Sequence, residues 1–425
     1  MFELIRANKI KSGILIVVLT MLLVVLGGVI GQASMPVADG SGAGVGLAIA
    51  LVVGLVMTLV AYFGGSSIML TMSGAKEIEK KDNPQLFNVV EEISIAAGLP
   101  MPKVYIIDDT ALNAFATGRN PKSASVAITK GLLMKLNRDE LQGVIAHEMS
   151  HVKNRDILFM TLAGVLLGTI VLLADLFLRS RFYSGSGYRR RSSSDSKEGG
   201  GAQAVILVIA ILLAILGPII ARLLYLACSR RREYLADASG ALLTRYPDGL
   251  ASALEKIDRD REPLEVANRA TAPMFIVNPI QALHAGAAGL FSTHPPTQER
   301  IAILRGMGRS ASLSTYQQAW NKFHAGEKLV PPSGLAAAAP LPARAPSQEA
   351  GEETPEQRLE RAHDALDTVR RLGGFLFLPC ACGSLLKIPP AYTRPEVRCP
   401  RCGATHLMTE AKPAAAGSPP TLPEA

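Results

Sequence analysis

The sequence is poor in several things at once. It carries one Trp and only 5% aromatic residues, charged residues make up 19%, and Cys occurs five times in 425 residues. Four of those Cys crowd between 380 and 402 and the fifth, Cys228, stands alone, so no disulfide framework staples the bulk of the chain. A net charge of +8 would suit nucleic acid, but no nucleic-acid motif is present, and Tyr392 is the one aromatic near Arg394, Arg398 and Arg401. Nucleic acid is therefore not an expected partner. Arg and Lys stand mostly beside apolar blocks, where lipid headgroups account for them better.

What the chain has in abundance is Leu, Ile, Val, Ala and Gly, gathered into four blocks at 14–33, 45–65, 157–178 and 204–226. Each is long enough to cross a bilayer. The first could be a signal peptide, but it exceeds a usual signal core, and the uncharged block after it favours a retained hairpin. Arg6, Lys9 and Lys11 keep the N-terminus in the cytoplasm by the positive-inside rule, so the chain returns there near residue 66, with Asp39 on the outer link. The third and fourth blocks contain Asp175 and Gly217-Pro218, and the loop between them holds Arg179, Arg181 and Arg189 to Arg191. Two full crossings would leave those Arg outside, whereas a shallow hairpin would not; both return the chain to the same side by residue 230. The expected location is the inner (cytoplasmic) membrane, multi-pass, with the soluble part facing the cytoplasm.

Between the hairpins, Leu86, Val89, Val90 and Ile93 recur at helical spacing up to Gly98 and Pro100. KVYIID and SASVAIT read as short strands, and TALNAFATGRNP between them as a loop or irregular edge. Residues 137–156 form a helix capped by Asn137 with Glu140 three residues on. The chain thus divides into an N-terminal hairpin (1–66), a catalytic domain (67–310) interrupted by the hydrophobic hairpin 157–226, a helical segment with a Pro/Ala-rich linker (311–356), an amphipathic helix with a Cys-bearing domain (357–410), and a disordered tail (411–425).

His147-Glu148-Met149-Ser150-His151 is an H-E-x-x-H pattern. Four residues apart on a helix, both imidazoles reach one metal, while Glu148, about 100° round the axis, reaches a water beside it. The carboxylate is the candidate general base, and zinc the metal this donor pair suits. Catalytic zinc usually takes a third protein ligand. Glu233 and Asp237 repeat the four-residue spacing, so Glu233 offers that ligand and Asp237 a partner that orients a ligating His. The plainer alternative makes both a solvated surface at the end of a membrane helix.

HEMSHVKNRD, a long hydrophobic interval, REYLADASGA and STHPPTQERI together resemble the HtpX family of membrane-bound zinc metallopeptidases, related to the CAAX prenyl endopeptidases; the likeness covers roughly residues 1–310. The resemblance implies an α+β, integral-membrane, gluzincin-type fold with about four hydrophobic helices, a Glu third ligand at Glu233, a supporting Asp at Asp237, and endopeptidase action on misfolded or membrane-associated proteins at the cytoplasmic face. NAFATG (113–118) is similar to the family's substrate-binding edge, which makes Asn113 a candidate donor to peptide backbone; otherwise it satisfies a turn. His294 could donate to the oxyanion of a tetrahedral intermediate, or fix its loop together with Pro296 and Arg300, and Arg300 could equally pair with a carboxylate.

Cys380, Cys382, Cys399 and Cys402 depart from the family. Cys399-Pro-Arg-Cys402-Gly is one half of a zinc knuckle, and Cys380-Ala-Cys382-Gly, one residue short, the other. The four could hold a structural zinc in a small ribbon-like domain, or form a disulfide or a degenerate ribbon. Expected partners are protein or peptide substrates and the bilayer. Prenyl-protein processing is the alternative activity, for which four spans are too few to build a large membrane chamber, and a non-catalytic scaffold using the ribbon is the alternative without chemistry.

Overall fold

The computed structural model describes residues 2–35, 41–182, 200–265, 275–277, 294–330, 341–347 and 354–408, and every statement of absence below concerns these residues. Asp39, residues 183–199 of the basic loop, 278–293 with His284, the linker pieces 331–340 and 348–353, the tail 411–425 and the Cys228 side chain lie outside them.

Four helices are long and apolar enough to cross a membrane, with candidate spans Gly13–Ser34, Ser41–Met72, Asp156–Ser180 and Ala204–Ala221. They lie in α1 (Phe2–Ser34), α2 (Ser41–Met72), α6 (Asp156–Phe182) and α7 (Gly200–Thr244), and make this a multi-pass membrane protein. α1 and α2 pack through small residues: a Cβ on Gly31 would come within 2.6 Å of the Gly46 Cα, so only glycine allows this approach. The Asp175 carboxylate is met by Arg179 one turn on, at 2.7 Å. α7 continues unbroken past Pro218 and its span to Thr244, about 68 Å for its 45 residues.

The α/β part is a four-stranded sheet in the order β1-β2-β4-β3, from β1 (Lys76–Ile78), β2 (Lys103–Ile107), β3 (Ala114–Thr117) and β4 (Ser125–Thr129). β2 and β4 are parallel; the outer pairs are antiparallel. β2 and β4 coincide with the two strands expected from sequence. The stretch expected as a loop or irregular edge contains a true edge strand instead, β3. All four of its residues are buried, so it shows none of the alternation by which a half-exposed strand is recognised.

Helix α3 (Pro84–Ala97) and helix α5 (Arg138–Lys153) cover the sheet around a core that includes Leu86, Val90, Val104, Val126, Val144 and Ile145; the short α4 (Lys130–Lys135) precedes α5. α5 begins with the expected capping box: Glu140 N donates to Asn137 Oδ1 (2.9 Å) and Asn137 N to Glu140 Oε2 (2.8 Å). The core is completed by α8 (Pro247–Arg259), α9 (Thr297–Arg305), which follows His294-Pro295-Pro296 as expected, and α10 (Leu313–Asn321).

The stretch expected to be a linker is partly tied down. Arg344 donates to Asp139 (2.6 Å) and Gln142 (2.8 Å), and Ser347 to Asp139 through backbone (2.8 Å) and hydroxyl (2.7 Å). Burial works against the Asp139 charge, but these donors outweigh it and lower its pKa. α11 (Pro355–Leu372) is the expected amphipathic helix; Ala365 joins the main core and Thr368 Oγ1 donates to the Asp82 carbonyl (3.1 Å). Two hairpins follow, β5 (Leu376–Pro379) with β6 (Leu385–Ile388) and β7 (Glu396–Arg398) with β8 (Thr405–Leu407).

Candidate metal centre and active site

α5 and α7 bring His147, Glu148 and His151 against Glu233 and Asp237, although 70 or more residues of mostly apolar chain separate the two sets. The approach depends on Gly240, where an added Cβ would sit 3.1 Å from the His147 backbone nitrogen. His147, His151 and Glu233 are all buried, and their donor atoms lie within 4.8 Å of one another. The two Nε2 atoms are 3.3 Å apart, His151 Nε2 is 3.5 Å from Glu233 Oε1, and His147 Nε2 is 3.6 Å from Glu233 Oε2. Tetrahedral zinc with bonds of ~2.0–2.1 Å sets its ligands ~3.3 Å apart, so this donor set fits zinc with little adjustment.

Each ligand is held from behind. His147 Nδ1 is 2.9 Å from Asp237 Oδ1; with Nε2 directed at the metal position, Nδ1 carries the proton and donates it. Asp237 is gripped by Arg300, Nε to Oδ2 at 2.8 Å and the terminal nitrogen to Oδ1 at 2.7 Å, with Arg300 fully buried. Arg300 is thus a carboxylate partner, one of the two roles its sequence position allowed. His294 Nδ1 lies 2.9 Å from Glu233 Oε2, which sets that ring beside the third ligand.

Sequence reasoning missed Asp156. Its Oδ2 is 3.3 Å from His151 Nδ1, giving the second His the same kind of support that Asp237 gives the first. The cause is a sharp turn: α5 ends at Lys153, Arg155 takes φ 62°, and α6 starts at Asp156, folding its carboxylate back. Arg232, buried with its guanidinium 3.5 Å over the Phe159 ring, has Nε 3.6 Å from Asp156 Oδ1. The signal available in the sequence was an acid five residues beyond His151, a spacing no regular helix would bring onto the ligand face.

Electrostatics follow from this packing. Burial alone would depress His147, yet hydrogen bonds to Asp237 and Glu233 hold it up to about 9. Burial would likewise raise Glu233, but the His294, His147 and His151 rings hold it well below the usual carboxylate range. Asp237 is lowered against its burial by Arg300 and His147. Glu148 goes the other way: burial pushes its carboxyl up, opposed by the two metal-facing His and by a hydrogen bond from the Ala116 backbone. A divalent cation held by these groups would take the place of the Nε2 proton of His147, so its binding would release a proton while Nδ1 keeps its bond to Asp237.

Asn113 stands at the head of β3, where its Nδ2 donates to the Val277 carbonyl (3.0 Å) and its Oδ1 accepts from Ala114 N (3.1 Å).

The four C-terminal thiols also converge, again within 4.8 Å of one another. Cys380 Sγ is 3.5 Å from Cys402 Sγ and Cys382 Sγ is 3.7 Å from Cys399 Sγ, far beyond the ~2.05 Å of a disulfide and close to the ~3.8 Å between sulfurs on tetrahedral zinc. The shorter Cys-x-Cys arm still closes a knuckle, since Gly383 N donates to Cys380 O three residues back, where Gly403 N reaches four back to Cys399 O. Among the described residues the chain therefore offers two candidate zinc sites, three donors in one and four in the other.

Comparison with known proteins agrees. Residues 80–308, more than half of the chain, match the model of peptidase family M48. The protease HtpX homolog of Dictyoglomus thermophilum is 46% identical over 307 residues, 72% of this chain and 95% of the relative. That of Thermococcus sibiricus is 42% identical over 307 residues, covering 72% and 98%. Among solved structures, the crystal structure of S. mikatae Ste24p aligns with a TM-score of 0.40 at 22% identity, over 72% of this chain and 67% of that one.

Proposed function

This chain belongs to peptidase family M48 as a membrane-associated, HtpX-like zinc metalloendopeptidase, and from that premise we propose that it cuts misfolded or membrane-associated proteins at the cytoplasmic face. The observation that carries the reading is the convergence of His147, His151 and Glu233 from two helices attached to different membrane spans. A buried, three-donor site on helices that lead into candidate membrane spans supports action on substrates close to the bilayer. Arg6, Lys9 and Lys11 support the cytoplasmic orientation.

His147, His151 and Glu233 would hold the ion, which when bound supplies Lewis acidity to a water and to the scissile carbonyl. Glu148, the residue after His147 on the same buried helix, takes the proton from the attacking water and delivers it to the leaving amine. Asp237 and Asp156 keep each imidazole's Nε2 free for the metal by accepting from its Nδ1. Arg300 fixes Asp237, and His294, from beside Glu233, donates to the oxyanion of the tetrahedral intermediate. Asn113 and the β3 edge bind peptide backbone as an added strand. The four thiolates close a structural zinc in a ribbon-like domain that recruits substrate or partner.

The test compares purified wild type with Glu148→Gln. Both should carry equal zinc, while casein cleavage by the variant falls by about 10²–10⁴-fold. Equal cleavage by both would remove Glu148 as the base.

A further inference from the structure

β3 is the edge of the sheet nearest the metal ligands, and the edge is already taken. Along β3, Asn113 faces Thr129 in a bonded pair, Thr129 N donating to Asn113 O at 3.0 Å. Antiparallel alternation then turns the backbone groups of Ala114 and Ala116 outward, away from β4. These are the groups with which an incoming strand would pair. The Ala114 carbonyl accepts from Ile276 N at 3.0 Å, and the Ala116 backbone faces the Glu148 carboxylate, whose charged form it favours.

Residues 275–277 run past that edge as a bend, joined to β3 by one backbone hydrogen bond. Phe275 sits opposite Phe115, ring centroids 5.2 Å apart; Ile276 is opposite Ala114; and the Val277 carbonyl receives Asn113 Nδ2 at 3.0 Å. The Ile276 carbonyl receives the Arg300 guanidinium at 3.2 Å, the same group that grips Asp237 and stands 3.8 Å from Glu233. A three-residue piece of the chain therefore runs between the sheet edge and the metal ligands. It satisfies one backbone acceptor and two side-chain donors that a bound peptide would need.

We propose that Phe275-Ile276-Val277 is an internal pseudosubstrate, which a polypeptide must displace strand for strand before it can be cut. The proposal rests on the hydrolase reading above and adds its regulation. The hold is weaker than a built-in strand's: one backbone bond joins the segment to β3, and Ala114 N turns to its own neighbour's side chain and not to Ile276. Asn113 and Arg300 can hold a substrate's carbonyls as they hold these. Phe275 and Ile276 are 0% and 1% exposed, so a competing chain replaces them without loss only if it brings apolar side chains of its own. That selects extended, unfolded segments with a large aliphatic residue in the place of Ile276, and leaves folded proteins uncut.

The test is hydrogen exchange on zinc-loaded, full-length Glu148→Gln, alone and saturated with unfolded casein. Binding should speed exchange at the Ile276 amide at least tenfold while amides of β4 stay protected. An Ile276 amide equally protected with casein bound overturns the proposal, because the segment would then be a fixed strand. Independently, Ile276→Gly in the otherwise native enzyme should lower KM for casein several-fold with kcat and zinc content unchanged; a KM unchanged or raised at full zinc content counts against displacement. The exchange measurement needs no cleavage, so it stands apart from the hydrolase reading, which fails separately if zinc-loaded wild type cuts no casein.

Discussion

His147, His151 and Glu233 are each at most 5% exposed, whereas of the four thiols Cys402 is exposed and Cys382 half-buried. The first group offers three donors and the second four. Behind the first stands a second layer of Asp237, Asp156, Arg300 and His294, every member buried; around the second the support is mostly backbone of two small hairpins. The difference tells their tasks apart. A site that must leave one position open gains its geometry from surrounding residues, because the metal alone does not saturate it. A site closed by four sulfurs would be shaped by its own ligands, and here Cys380 and Cys399 pack with Leu378, Leu386 and Ile388 in a small core of their own.

The sharpest way to break this contrast is to remove one ligand of each kind. Glu233→Ala should take casein cleavage to background and lower bound zinc from about two to about one per chain; two zincs retained would show that the buried trio is not a metal site. Arg300→Lys tests whether the second layer matters. A lysine cannot hold both oxygens of Asp237, and activity or zinc affinity should fall about 10–100-fold, read by titration against a zinc chelator. Replacing Cys399 and Cys402 together by Ser should also remove one zinc and speed proteolysis of residues 376–408. Cleavage should stay within about twofold, since the two sites are separate. A collapse of activity there would make the thiol site part of the catalytic apparatus.

The smallest effect is in pH. His147 is held up to about 9, above its unfolded value of ~6.5, so its proton stabilises the chelated protein fully below ~6.5 and that contribution is lost as pH rises through about 9. Thermal midpoints of the chelated enzyme should therefore fall across that window, while zinc affinity rises through it as proton competition fades. A flat profile in chelated protein would show that Asp237 and Glu233 do not hold a proton on His147.

Features written in local spacing are legible in the residues themselves. The four spans, the Asn137–Glu140 cap, the two His one turn apart and the Glu233–Asp237 pair all depend on neighbours within a few residues. What escapes such a reading depends on contacts distant in sequence or on backbone turns. β3 reads as a loop or irregular edge because a strand buried on both faces, flanked by Asn113 and Gly118, carries no periodic signal. Asp156 reaches His151 only through the positive φ of Arg155. Arg344 and Ser347 find Asp139 some two hundred residues away, which no composition of a Pro/Ala-rich stretch foretells.

One helix carries both a membrane span and a metal ligand without a break. In α7, Glu233 lies twelve residues beyond Ala221, about 18 Å along a continuous axis. A stiff arm of that length swings its tip by ~1 Å when its base leans ~3°, and misplacements of that size at a reacting centre cost about a hundredfold in rate. The thickness and lateral pressure of the surrounding lipid thereby become parameters of the chemistry, and detergent or bilayer composition belongs among the variables to control when turnover is compared.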